Sequence, residues 1–252
     1  MDDKCAQVIE REFRDCIINT IRRLEGEETH RPFHEALLSK DALYWSRFER
    51  SFSTSFGQRV VEKISKLAAI AGGASEAANQ RETPTSLTER QLQAIDAHIG
   101  AIRNGRLARS PDWPTDLADV IGAGSGGQVV KNRVISDLWF RRDGVDNYVS
   151  IKTVKPNIDQ TAEAKRDLLK LKLNDPSCNV YFGLYYNPYG ERREDYAWSP
   201  PRGVFNFQTD AVVLIGREYW DTLGGDGFYD ELIRIAAEVG EETRKRLLGL
   251  NR

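Results

Sequence analysis

Near Gly122 the hydrophobic rhythm of the chain changes, and that change limits the folds open to it. Before it, apolar residues recur at helical spacing: Val8, Ile9, Cys16, Ile17, Ile18, Ile21 and Leu24 trace one stripe, which Gly26 ends. Residues 32–52 predict a second helix, and "QRVVEKISKLAAIA" predicts a third that stops at Gly72 and Gly73. Residues 72–86 are small and polar, contain Pro84 and read as a loop, and Thr88 to Gly100 reads as another helix. After Gly122 the segments are short, β-branched and aromatic. "NRVISDLWF" and "YVSIKTV" flank the turn "RRDGVDN" as a hairpin, and "NVYFGLYY" and "AVVLI" follow as strands. A helix is expected over 160–173, capped by Asp159 or Asn157, and another over 229–250. Helices first, then hairpin, helix and strands, predict an α/β protein with a mixed sheet and helices on both sides. Residues 1–110 form its mainly helical part and 111–252 its sheet, in one compact unit.

The chain has 252 residues and 40% hydrophobic content, ample for a sizeable core. Its three cysteines, Cys5, Cys16 and Cys178, are odd in number and show no CxxC spacing, which supports neither a zinc cluster nor a disulfide framework and fits a reduced cytoplasm. The N-terminus is charged throughout, and no run of about 18 apolar residues occurs, so neither export nor a membrane span is expected. A net charge of -2 argues against a protein that merely coats nucleic acid. It is compatible with a metal-dependent nuclease, which needs carboxylates at its site and can gather Lys and Arg on one face. "HRPFH" spaces His30 and His34 by four, but Pro32 interrupts any helix that would align them. "GAGSGG" lacks the lysine of a phosphate loop and is read as a flexible turn.

Two charges stand where a core wants valines: Asp137 within "VISDLWF" and Lys152 within "VSIKTV". Such a charge costs several kcal/mol, roughly, unless it is paired, metal-bound or at an exposed strand end. One reading is a salt bridge between neighbouring strands. The other is chemistry. An acid on one hairpin strand, a lysine on the next and a helix directly after resemble the PD-(D/E)XK nuclease site. That resemblance implies a carboxylate pair holding Mg²⁺, with the lysine orienting or deprotonating the attacking water. Magnesium takes hard oxygens and keeps several waters, so few carboxylates suffice.

Two residues before the lysine the motif has Asp or Glu, whereas this chain has Ser150. Ser150 and Lys152 share a strand face, but a hydroxyl supplies no charge. Some restriction enzymes with serine there take the acid from the following helix, which makes Glu163, eleven residues after Lys152, a candidate ligand. Its other reading is a carboxylate favoured by the helix dipole. Glu62 is a second candidate, on the expected nuclease core helix of about residues 57–71, where an ordinary exposed glutamate is the competing reading. Ser51, Ser53, Thr54 and Ser55 precede that helix as drawn, where Ser53 and Ser55 could meet DNA phosphate or simply cap the helix.

Longer strings then coincide: "RFERSFSTSFGQRVVEKI", "SIKTVKPNID" with "AKRDLLK", "YYNPYGE" and "REYWDTLGGDGFYDELI". In this order they resemble the TdeIII family of type II restriction endonucleases, whose prototype cuts GGNCC. The resemblance implies Mg²⁺-dependent cleavage of both strands of a short double-stranded DNA site, 5′-phosphate ends and Asp137 with Lys152 as catalytic pair. A palindromic site implies a homodimer. For DNA contact, the loop "NPYGERREDYAWSPPRG" offers Arg192, Arg193 and Arg202, suited to guanine in the major groove. Lys155, Lys165 and Arg166 would meet the phosphate backbone, unless they are only a polar helix face. Two alternatives stay open at this level: a nuclease-like DNA-binding protein that has lost catalysis, and a repair or mobile-element nuclease of the same fold.

Overall fold

A computed structural model of the chain describes residues 1–25 and 30–249. Its sheet is built on the tight hairpin of the second half. Strand β2 (Val129–Arg142) and β3 (Val145–Lys152) are antiparallel, joined by Asp143 and Gly144 alone. Both turn residues take positive φ, 53° and 77°, the geometry whose twist matches the flanking strands and which Asp-Gly accommodates. From β3 the chain crosses through helix α7 (Ile158–Asn174) to β4 (Asn179–Leu184), parallel to β3, and β5 (Val213–Ile215) continues parallel to β4. Helix α7 starts at a capping box, in which the Asn157 side chain accepts from the Gln160 amide and the Gln160 side chain from the Asn157 amide.

The fifth strand is where a loop was expected. Residues Glu76–Thr88 form β1, antiparallel to β2 along almost its whole length, so the sheet order is β1-β2-β3-β4-β5. β1 is an edge strand with one wet face. It therefore tolerates Pro84 and carries few of the β-branched residues that mark a buried strand.

Helices cover both faces. On one side lie α1 (Asp3–Glu25), α4 (Val61–Ala71), α9 (Arg217–Gly224) and α10 (Phe228–Gly249), whose apolar stripes meet Leu138, Phe140, Val149 and Leu214. On the other lie α5 (Glu89–Arg103), α6 (Trp113–Gly122) and α7, packed on Trp139, Tyr148, Val180 and Phe182. Alternate residues of each strand thus feed opposite cores, which is the pleat period expected for a doubly covered sheet. Two further helices, α2 (Pro32–Leu37) and α8 (Ser199–Arg202), are short. Gly26 and Leu250, the expected ends of the first and last helices, lie outside the described residues. No helix among the described residues is long and apolar enough to cross a membrane.

The expected second helix is broken and the expected third is longer. Leu38 leaves the helical conformation and Ser39 caps a new start, its hydroxyl accepting from the Ala42 amide at 3.2 Å. From there α3 (Lys40–Ser55) runs through a π-turn (Phe56–Val60) straight into α4. "SFSTSFG" is consequently helix interior and not a capping loop. Thr54 bonds back to the Arg50 carbonyl at 2.8 Å, the local bond a hydroxyl makes inside a helix. Phe48, Phe52 and Phe56 stack along it and end against Tyr185.

Candidate active site

The β2–β3 ladder ends at the pair Leu138–Val149, and one residue further the strands part. Asp137 stands at that fork. Its Oδ2 accepts the Ile151 amide at 2.7 Å, the Lys152 ammonium at 3.2 Å and the Ser150 hydroxyl at 3.5 Å. Asp137, Ser150 and Lys152, expected together, are therefore brought together, with the aspartate and lysine each partly exposed. The side-chain carboxylate occupies the place of the next ladder bond, which stops the pairing and opens the sheet at this point.

Glu62 reaches the same point from α4. The Gln80 side-chain amide donates to Glu62 Oε2 at 3.1 Å and to Asp137 Oδ1 at 3.4 Å. Below it the Asn79 amide donates to the backbone carbonyls of Glu62, at 2.8 Å, and Asp137, at 3.2 Å, clamping helix to strand. Burial pushes the Glu62 carboxyl above its ordinary value; the Gln80 bond and Lys152 oppose the rise and the Asp137 charge adds to it. Two clefts meet at Lys152. One, of about 520 Å³, is lined by Asp137, Ser150, Gln160, Glu163 and Asp167. The other, of about 630 Å³, is lined by Ser53, Gln58, Glu62, Lys155 and Tyr185.

Glu163 shares a cleft with Asp137 but makes none of the bonds around it. It lies in the second turn of α7, exposed, and is ion-paired with Arg166, whose Nε also faces Asp96 at 3.1 Å. Glu62, held to Asp137 through one amide, is the better placed second carboxylate. One oxygen each of Glu62 and Asp137 faces the same Gln80 amide beside Lys152, a carboxylate donor set of the kind that fits a hard divalent ion. A second oxygen- and nitrogen-bearing group, His98, Asp116 and Asp119, is a poorer host. Its carboxylates already meet Lys165 and Arg109, so a metal ion would enter among like charges.

Several expected DNA contacts are corrected by burial. Lys165 is wholly enclosed, ion-paired with Asp116 and donating to the Val204 carbonyl at 2.6 Å, and cannot reach a phosphate. Arg193 turns inward, onto the carbonyls of Asp210 (3.0 Å) and Val213 and the carboxylate of Glu218, where it ties the loop to β5. Ser55 accepts from Arg23 at 2.7 Å and Ser53 donates to Glu49 at 2.7 Å; neither stands at a helix N-terminus. Ser53 nevertheless lines the second cleft. Arg202 and Lys155 are exposed, and Lys155 sits 5.2 Å from the Tyr189 ring and 5.6 Å from that of Trp198. Arg192 is exposed too, paired with Asp195 at 3.0 Å. The site residues that the sequence did not reveal are Asn79 and Gln80, hidden by the reading of their strand as a loop.

The family model described as "Type II restriction endonuclease, HinfI" matches residues 1–240. The type II restriction enzyme HgiCII of Herpetosiphon aurantiacus is 30% identical over 248 residues, covering 94% of this chain and 89% of its own. HgiEI of the same organism is 29% identical over 235 residues, 91% of this chain and 84% of its own. No solved structure matches the chain. These relatives carry the resemblance as far as type II restriction endonucleases; its narrower assignment to the TdeIII family draws no support from them.

Proposed function

The chain belongs to the HinfI family of type II restriction endonucleases and is an endodeoxyribonuclease, and from that premise we propose that Glu62, Asp137 and Lys152 form its hydrolytic centre on a PD-(D/E)XK plan. The observation that carries this reading is the meeting of the three side chains, from a helix and two strands, at the mouth of two clefts.

The family implies a divalent metal, and we take it to be Mg²⁺, held by Asp137 and Glu62. When bound, it supplies Lewis-acid charge stabilisation at the phosphate and lowers the pKa of a bound water. The chain's own groups do the rest. Asp137, anchored by the Ile151 amide, has a fixed direction and does not swing with its rotamer. Lys152, on the next strand, sets its ammonium where the non-bridging oxygens of an attacked phosphate gain negative charge, and it orients the incoming water. In-line attack by that water releases the 3′-hydroxyl and leaves a 5′-phosphate. Ser150 adds a hydroxyl at 3.5 Å from Asp137 and no charge, so the second carboxylate comes from the helix α4.

The proposed substrate is double-stranded DNA with a short, palindromic, GC-rich site, and the proposed assembly is a homodimer whose two centres each cut one strand. Lys155, just after β3, and Arg192 and Arg202, in the segment that follows β4, are exposed and remain the proposed DNA contacts. The test is digestion of a fully sequenced plasmid in Mg²⁺ with the fragment ends mapped. The wild type gives discrete bands with 5′-phosphates, and Lys152→Ala slows cutting by about 10²- to 10⁴-fold while the circular dichroism spectrum stays unchanged. Cleavage at the wild-type rate by Lys152→Ala overturns the assignment.

A further inference from the structure

Opposite Asp137 the edge strand does something an edge strand has no local reason to do. The β1–β2 register keeps one offset, Asn79 facing Leu138 and Arg81 facing Ser136, so no residue is inserted and Gln80 falls opposite Asp137 without pairing to it. Yet Gln80 has φ 50°. This left-handed conformation is unfavourable for a residue with a side chain, and Gly, Asn or Asp takes it more readily. In a regular strand Asn79 and Gln80 would point to opposite faces. The left-handed residue cancels that alternation. Both amides reach Glu62 and Asp137, Asn79 their backbone carbonyls and Gln80 their carboxylates.

The carboxamide is a neutral group between two anions. Its Nε2 donates to one oxygen of each, doing for the empty pair what a cation does for an occupied one. A cation cannot enter while the N–H bonds face it. The terminal torsion of glutamine is broad and two-fold, so turning the amide over moves no backbone and brings Oε1 to the same point. Among the described residues that oxygen has no partner to give up. We propose that Gln80 belongs to the cation site: its NH₂ group ties Glu62 to Asp137 while no cation is bound, and its Oε1 is the third oxygen offered to a divalent ion. This rests on the reading of Glu62 and Asp137 as metal ligands. It gives the missing acid at Ser150 a second replacement, neutral and already in position, and a reason for glutamine where the backbone favours glycine.

The test counts bound ions without DNA. Mn²⁺, which takes the same hard oxygen ligands, is titrated into wild type, Gln80→Leu, Gln80→Glu and Asp137→Asn, and the free ion is measured by electron paramagnetic resonance. Leucine, one atom shorter, keeps a side chain on the same backbone without the polar atoms of glutamine, and the position is exposed, so folding is preserved. Gln80→Leu is expected to bind about 10- to 100-fold more weakly. Gln80→Glu is expected to bind more tightly than wild type and to melt at a lower temperature when metal-free, because three carboxylates then crowd one point. Wild-type affinity in Gln80→Leu, or weaker binding by Gln80→Glu, overturns the inference. If Asp137→Asn also binds like wild type, the metal site itself is wrongly placed; if only Asp137→Asn loses binding, Gln80 alone is.

Discussion

Among the described residues, two aspartate–lysine pairs join separate elements within apolar surroundings, and they have opposite fates. Asp137 and Lys152, 3.2 Å apart, retain 22% and 24% of their side-chain exposure. Asp116 and Lys165 retain none. The closed pair is met from several sides: Lys165 also donates to the Val204 carbonyl, and Asp116 receives the Arg109 charge at 2.7 Å and the Asp112 amide at 3.2 Å. Around the open pair Asp137 has one oxygen filled by Ile151 and Lys152, and the other meets only the movable Gln80 amide. A charge pair becomes a reactive site through unspent bonding capacity and an approach path, not through the identity of its members. The closed pair fastens α6 to α7 across the core; the open one stays within reach of solvent.

Removing the lysine of each pair separates the two roles most sharply. Lys165→Met leaves Asp116 buried beside a methyl group and is expected to cost about 3–5 kcal/mol in urea unfolding. Lys152→Met in the same assay is expected to cost under about 1 kcal/mol, since water reaches Asp137. Equal losses would mean that the two pairs do not differ in this way. A smaller change follows from deleting both members of the closed pair. Asp116→Leu with Lys165→Met is expected to return to within about 2 kcal/mol of wild type, because no buried charge is then left uncompensated and Arg109 keeps Asp119 at 2.5 Å. A double variant no more stable than Lys165→Met alone would mean that packing, not charge, governs that site.

The smallest effect is in acid. Burial by itself would raise the Asp116 carboxyl, but the hydrogen bond from His98, with the Lys165 and Arg109 charges, holds it well below the usual carboxylate range. Its folded value is thus depressed below 3.8, so the unfolded chain takes up a proton first. The stabilisation is fully present above that value and is lost as the pH falls beneath it. Between about pH 5 and pH 3, wild-type stability should fall more steeply than that of the double variant, by at most about 1.4 kcal/mol per pH unit. Parallel slopes would show that Asp116 titrates normally in the fold.

The open pair was legible in the sequence because strands make charges conspicuous: Asp137 and Lys152 interrupt runs of Val, Ile and Phe. The closed pair was not. On α7 a lysine at position 165 looks like any polar-face residue, and only the third layer, α6 with its Asp116 and the carbonyl of Val204, turns that face into an interior. Arg193 misled for the same reason, its inward turn being set by carbonyls of residues 207, 210 and 213. The hairpin, the crossover helix and its Asn157 cap follow from turn chemistry and periodicity, which are local. Strand β1 escaped because its pairing energy comes from β2, more than forty residues on in sequence, while its own side chains are those of a wet edge. With β1 went Asn79 and Gln80, and with them the hydrogen bonds that join Glu62, and not Glu163, to Asp137.

The π-turn at Phe56–Val60 gives the long helix from Lys40 to Ala71 two independent phases. One extra residue in a turn advances everything after it by about 100° around the axis. The aromatic stripe of Phe48, Phe52 and Phe56 can therefore lie on one side while Glu62 faces the fork at Asp137. In engineering terms the turn is a vernier between two gears. Gaining or losing one residue there would turn Lys40–Ser55 by the same angle relative to Glu62, so that length in this stretch is constrained by an angle rather than by a distance.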